Sequence, residues 1–357
     1  MKKMQALRAL RYNQQKIADM SKVVAPPYDV IGPAKQEQLF QQSPYNIAWV
    51  DLSKEENGKD KYQVAGEKFQ QWRNEGVIQQ DDEPSIYVYF QTYSLPDKST
   101  HIRKGFFARR LAEPFGEGLV KPHEKTFSGP KEDRFLLTQA TSCHMSPVFG
   151  LFQDEDAQVQ KLIDEVAQAE PCIDISFGEN ERHRVWQVKD PLLLQSILNP
   201  LEERMILIAD GHHRYETAVR YAQWKRSEEG DDSQTPRDSD YALMYFCPVQ
   251  DPGLVILPTH RVLHVRPQLS PEQFRQKLPA WAHITSYQRS QLDSALAALE
   301  DISAEERAVL WVYDQNIDLI RMSLQDLREK SILKNYSAAL SALDVSVLHS
   351  FLFEEMI

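Results

Sequence analysis

Met205-Ile206-Leu207-Ile208-Ala209 is an apolar run of strand length that stops at Asp210-Gly211, and Ala218, Val219, Tyr221 and Ala222 then carry helical spacing. This order predicts a strand-to-helix corner, with Asp210, Gly211, His212, His213 and Arg214 packed into the junction. Such corners suit anions. The first turn of a helix has backbone N–H groups without intrahelical partners, and a glycine lets backbone approach a ligand closely. Arg214 would add a bidentate clamp. Taken singly, Asp210 reads as a helix cap, Gly211 as a turn glycine and the histidines as half-exposed polar residues. Together, two imidazoles, a carboxylate and a guanidinium serve no packing need, because every buried polar group must find a partner.

At 357 residues the chain suffices for two domains, or for one large domain with insertions. The formal charge of −11 argues against a general nucleic-acid binder, so affinity for phosphate must be local. No apolar run is long enough to span a membrane, and Met1-Lys2-Lys3-Met4-Gln5 lacks the apolar core of a signal peptide, so a cytoplasmic protein is expected. Three cysteines, Cys143, Cys172 and Cys247, without Cys-x-x-Cys spacing indicate neither a disulfide framework nor a cysteine zinc site. Cys143 beside His144 formally permits a thiolate–imidazole nucleophile, but sequence neighbours rarely face each other on a strand.

Along the chain, Ala25-Pro26-Pro27-Tyr28-Asp29 reads as a rigid loop. Helical spacing follows from Gly58 to Gly76, and Ser85–Tyr93 with Thr100–Leu111 resembles a hairpin. A second polar cluster, His123-Glu124-Lys125-Thr126-Phe127-Ser128-Gly129-Pro130, precedes a helix from Glu132 to Ala140. Ser146–Phe152 and Val185–Val188 read as strands and Ala157–Ala169 as a helix, while Arg226–Ser239 is expected to be a mobile solvated loop. Val255–Leu263 reads as an apolar strand carrying a third polar group, Thr259-His260-Arg261. From Ser270 onward the expectation is helix, helix, strand (Ala308–Tyr313) and a closing helix over Leu340–Phe351. Alternating strands and helices favour an α/β or α+β fold. Three segments are expected: 1–115 with the Pro-Pro-Tyr-Asp loop, a catalytic core over 116–265, and a C-terminal α/β segment over 266–357.

The three clusters supply the functions of phosphoryl transfer: Lys and Arg to neutralise a phosphoryl group, His or a carboxylate to move a proton, and Asp to carry Mg²⁺. Neither Gly-x-x-x-x-Gly-Lys-Ser/Thr nor Gly-x-Gly-x-x-Gly occurs. A metal-dependent hydrolase using Asp210, His212, His213 and His260 competes, although adjacent histidines usually diverge too far to share one ion and no His-Glu-x-x-His pattern is present. A non-catalytic nucleotide-binding regulatory module is the third reading.

Ala25-Pro26-Pro27-Tyr28-Asp29-Val30, His123-Glu124-Lys125-Thr126, Gly129-Pro130, Asp133-Arg134, Ser146-Pro147-Val148-Phe149-Gly150, Asp210 through Ala218 and Thr259-His260-Arg261 together resemble the domain of unknown function 1015 family. The centre, with Asp-Gly-His-His-Arg followed by an alanine-bearing helix, is similar to the core of ParB and sulfiredoxin proteins, free serine kinases included. That resemblance implies a glycine–basic turn that holds nucleotide phosphates, and places the base that acts on a serine hydroxyl at Glu124. The resulting expectation is phosphoryl transfer to or from a small hydroxy-amino acid, as a serine kinase or phosphoserine phosphatase. ATP or ADP would be the partner nucleotide and Mg²⁺ would sit at Asp210. Glu124, Asp210, His212 and His213 would be catalytic. Lys125, Thr126, Ser128, Arg134, Gly211, Arg214, Thr259, His260, Arg261, Tyr28 and Asp29 would bind phosphate or substrate.

Overall fold

The computed structural model describes residues 2–123, 128–178, 180–230, 235–257, 260–262 and 270–356. It is an α/β arrangement of two compact units, Met1–Val255 and Ile256–Ile357. The first contains strands β1 (Met4–Gln5), β2 (Leu10–Tyr12), β3 (Ile78–Gln80), β4 (Ile86–Ser94), β5 (Thr100–Leu111), β6 (Val120–Lys121), β7 (Val148–Phe152), β8 (Ile173–Ser176), β9 (Arg182–Val188), β10 (Ile206–Asp210) and β11 (Tyr241–Pro248). Its helices are α1 (Pro33–Gln42), α2 (Ala48–Asp51), α3 (Lys61–Asn74), α4 (Ser128–Thr141), α5 (Gln158–Val166), α6 (Pro191–Leu198) and α7 (His212–Glu229).

A mixed nine-stranded sheet runs in the order β6-β10-β7-β11-β5-β4-β9-β8, with β1 added antiparallel to β5. β10 lies between β6, parallel to it, and β7, antiparallel to it. One face of this sheet forms the main core, where Phe106, Met244, Phe246 and Ile208 meet Ile163 of α5, Ile197 of α6 and Tyr215 and Ala218 of α7. A second core joins Phe69 and Trp72 of α3 to Leu137 of α4 and Val50 of α2. The helix expected between Gly58 and Gly76 is α3, started by Asp60, whose carboxylate accepts from the backbone N–H of Tyr62 and Gln63. The expected hairpin is β4–β5, antiparallel from Tyr87↔Phe107 to Ser94↔Thr100.

In the second unit, β12 (Ala282–Gln288), β13 (Glu306–Tyr313) and β14 (Asn316–Ser323) form an antiparallel sheet in the order β12-β14-β13. It packs around Phe274, Ile320, Met322, Leu327 and Phe351 with α8 (Pro271–Lys277) and α10 (Leu324–Lys330), and α9 (Leu292–Glu300) precedes β13.

Some local expectations require correction. The loop expected from Arg226 does not begin there: α7 continues to Glu229 and ends at Gly230 in the left-handed region, with Arg226 paired to the buried Asp240. Among the described residues of the strand expected over Val255–Leu263, 255–257 and 260–262 are irregular and form no strand. A strand that was not expected stands upstream of it, β11, whose burial on both faces gives an apolar run without alternation. β12 and β14 also stand where no strand was expected. Among the described residues, no helix is long and apolar enough to cross a membrane.

Candidate functional site

The corner between β10 and α7 is built as its sequence requires. Gly211 takes φ +93°, a left-handed conformation that glycine adopts without the steric cost of a Cβ, and offers no side chain to cap the 18-residue helix that follows. A register irregularity between Ile208 and Asp210 turns the end of β10 out of regular pairing with β7. Arg214, one turn into α7, folds back over the glycine: a Cβ at Gly211 would lie 2.9 Å from its Cζ and Nε. Its Nη2 donates to the Asp210 carboxylate and its Nη1 to the Pro147 carbonyl, so the guanidinium is fixed in place rather than swinging from the surface. The Asp210 side chain is 65% exposed and that of Arg214 18%.

His212 points inward and is fully buried. Its Nε2 accepts the backbone N–H of His123 at 3.2 Å, which leaves the proton of a neutral ring on Nδ1, and the two imidazoles meet edge to face with centroids 4.5 Å apart. His123 in turn bonds through Nδ1 to the Ile208 carbonyl at 2.7 Å. The chain leaving β6 is thereby tied to the corner by two histidines. His213 is half-buried in the same turn. Of the corner residues, Asp210, Gly211, His213 and Arg214 therefore sit at or near the surface, and His212 acts through packing and hydrogen bonding.

Arg134 lies on α4 and is engaged on every side. Nη1 donates to Asp51 Oδ1 at 2.6 Å, Nη2 to the Asp51 carbonyl at 3.1 Å and Nε to Asp133 Oδ2 at 2.9 Å, while its Cζ lies 4.1 Å from the centroid of the Tyr28 ring. Burial pushes the Asp51 carboxyl above the usual range, with Arg134 opposing the shift. For Asp133 burial is outweighed by bonds from Lys61 and charge from Arg134, and its carboxyl falls below that range. Burial also raises the Tyr28 phenol, opposed by Arg134. Asp29 is exposed. Arg134 and Arg214 both line a cavity of about 30 Å³, room for a single water, toward which Thr217, His144 and Ser146 also face. Thr217 Oγ1 is buried and has no hydrogen-bond partner among the described residues.

Glu124, Lys125, Thr126 and Thr259 lie outside the described residues, as does the side chain of Ser128, the first residue of α4. His260 and Arg261 belong to the second unit and are exposed. Cys143 and His144 form no nucleophilic pair. The Cys143 thiol, pushed up to about 11 by burial, donates to the His144 carbonyl, and the imidazole bonds instead to the Tyr241 carbonyl at 3.2 Å. Among the described residues, no three His, Cys, Asp or Glu side chains are grouped to hold a metal ion. Sequence reading did not single out Asp51, the Pro147 carbonyl or His123. Only His123 carried a local signal, standing at the head of the His-Glu-Lys cluster.

A family model described as "Protein of unknown function (DUF1015)" matches residues 4–346. No curated protein and no solved structure matches the chain.

Proposed function

The chain belongs to the DUF1015 family, whose description states no activity, and we propose a phosphoryl-transfer enzyme, for which the corner supplies the phosphate site and the resemblance to free serine kinases implies the substrate, a small hydroxy-amino acid, serine or phosphoserine first. The observation that carries the reading is the start of α7, where a left-handed glycine without a side chain sits under a fixed guanidinium. That arrangement offers backbone N–H donors and a positive charge to a phosphoryl group in one place. His213 adds a second donor, and Lys125 is assigned to phosphate or substrate carboxylate. Arg134, held by Asp51 and Asp133, steadies Tyr28 and the wall behind Arg214.

Glu124 follows directly on the anchored His123 and is assigned as the base. It takes the hydroxyl proton as the serine oxygen bonds to the γ-phosphorus of ATP, the bond to the β–γ bridging oxygen breaks and ADP leaves. With water as the attacking group on phosphoserine, the same residues would make a phosphatase. Asp210 suits Mg²⁺ in one respect: an exposed carboxylate beside a phosphate site is how this ion is commonly held, with water and phosphate oxygens completing its shell. Arg214 competes for that carboxylate. The similarity of the core to ParB and sulfiredoxin proteins belongs to the same proposal.

Phosphorus NMR with Mg²⁺ on L-serine plus ATP, and separately on O-phospho-L-serine, tests it. New phosphoserine establishes the kinase and free phosphate from phosphoserine the phosphatase. Glu124→Gln should lower either rate on the order of 10² or more while leaving phosphate binding intact. Silence in both assays, with ATP still raising the melting temperature, replaces the enzyme with a nucleotide-binding module.

A further inference from the structure

A cavity in the first unit opens one turn along α7 from the corner. It measures about 450 Å³, within the range of small-molecule sites, and lies between α7, α4 and the segment Pro114-Phe115. Its floor is apolar: Phe115 stacks on the buried Tyr215 with centroids 5.2 Å apart and planes 17° apart, and Pro114 and Val219 continue the surface. Its walls are polar. Lys131 reaches Glu216 at 3.4 Å, Arg220 pairs with Glu132 at 2.5 Å, and Gln223 stands exposed at the far end. Glu216 Oε2 is buried and takes no donor among the described residues, so this carboxylate has acceptor capacity to spare.

A serine side would leave most of this volume empty. A flat aromatic floor with amide and carboxylate acceptors along one edge instead suits a planar heterocycle that carries an amino group. The spacing agrees: Glu216 to Gln223 covers about 10 Å of helix, starting about 5 Å beyond His213, which is the reach of a ribose and base from a phosphate chain held at the helix start. We propose that the groove between α4 and α7 is the nucleoside subsite of a nucleotide whose phosphates bind at Gly211–Arg214, with the base lying on Phe115. This rests on the phosphate reading of the corner and deepens it, since a built nucleoside subsite makes the nucleotide, not water, the second substrate.

The test compares ATP with inorganic tripolyphosphate, which has the phosphates and no base, by isothermal titration of the full chain. ATP should bind at least tenfold tighter. Gln223→Trp, at an exposed position, fills the groove and should bring ATP to the level of tripolyphosphate without changing tripolyphosphate itself. Phe115→Ala, which removes the floor, should do the same and covers the case in which the tryptophan misfolds the protein. Equal binding of ATP and tripolyphosphate to the wild type, or an ATP advantage that survives both variants, overturns the subsite and leaves the corner standing. No binding of either ligand to the wild type overturns both.

Discussion

Gly211 and Arg214 are coupled by contact, and the coupling sets what a substitution does. An alanine at 211 must hold φ +93°, at a cost of about 1–2 kcal/mol for an L-residue, and its methyl would lie 2.9 Å from the guanidinium carbon. Gly211→Ala should therefore lower the urea midpoint and also displace Arg214, so that tripolyphosphate affinity falls in the same variant. Unchanged affinity would remove the corner as an anion site. A second residue-scale expectation concerns His144, which burial holds below its ordinary value of 6.5 while its Nε2 bonds to the Tyr241 carbonyl. Above 6.5 the ring is neutral folded and unfolded, and pH has no effect through it. Below 6.5 the unfolded chain takes the proton first, so stability falls with pH until the folded ring is protonated too. His144→Gln keeps a donor for the carbonyl and should flatten that slope, measured as melting temperature from pH 7.5 to 5. His183, shifted the same way by burial, leaves a residual slope.

At the scale of elements, α7 is held by burial and by one hydroxyl more than by its surface charges. The Tyr215 phenol accepts from the Glu113 N–H at 3.1 Å and donates to the Glu113 carbonyl at 2.9 Å, pinning the helix to the segment that carries Phe115. Tyr215→Phe keeps the ring and strands both backbone groups, for a loss of about 1–3 kcal/mol in denaturant unfolding. Glu132→Ala, which breaks a pair with both partners about half exposed, should change stability by under about 1 kcal/mol. The same contrast between local and distant partners decides what the sequence makes legible. α3, the β4–β5 hairpin and the β10–α7 corner are written locally, in Asp60, in the alternation from Ile86 and in Asp210-Gly211. β11 is not, because a strand buried on both faces loses its period of two. Nor is the role of Arg134, whose partner Asp51 stands 83 residues away. A basic residue in a Gly-Pro loop reads as a phosphate ligand until the fold supplies the carboxylates that occupy it.

The whole molecule gathers the corner from distant stretches of chain but within one unit. β10 and α7 supply the turn, residues 147 and 148 the carbonyl and the neighbouring strand, residue 123 the anchored histidine, and residues 51 and 134 the wall behind Arg214. All precede residue 256, where the second unit begins, and the family match spans both units. The second unit has its own sheet and its own core, and it contains the Thr259-His260-Arg261 group. A unit with a complete core and short internal connections is expected to fold alone. A chain ended at Val255 should thus unfold in one cooperative transition and bind tripolyphosphate within a few-fold of the full protein, because the helix start and Arg214 are both retained. If the shortened chain melts cooperatively and yet loses affinity by tenfold or more, the start of α7 and Arg214 do not make the phosphate site by themselves.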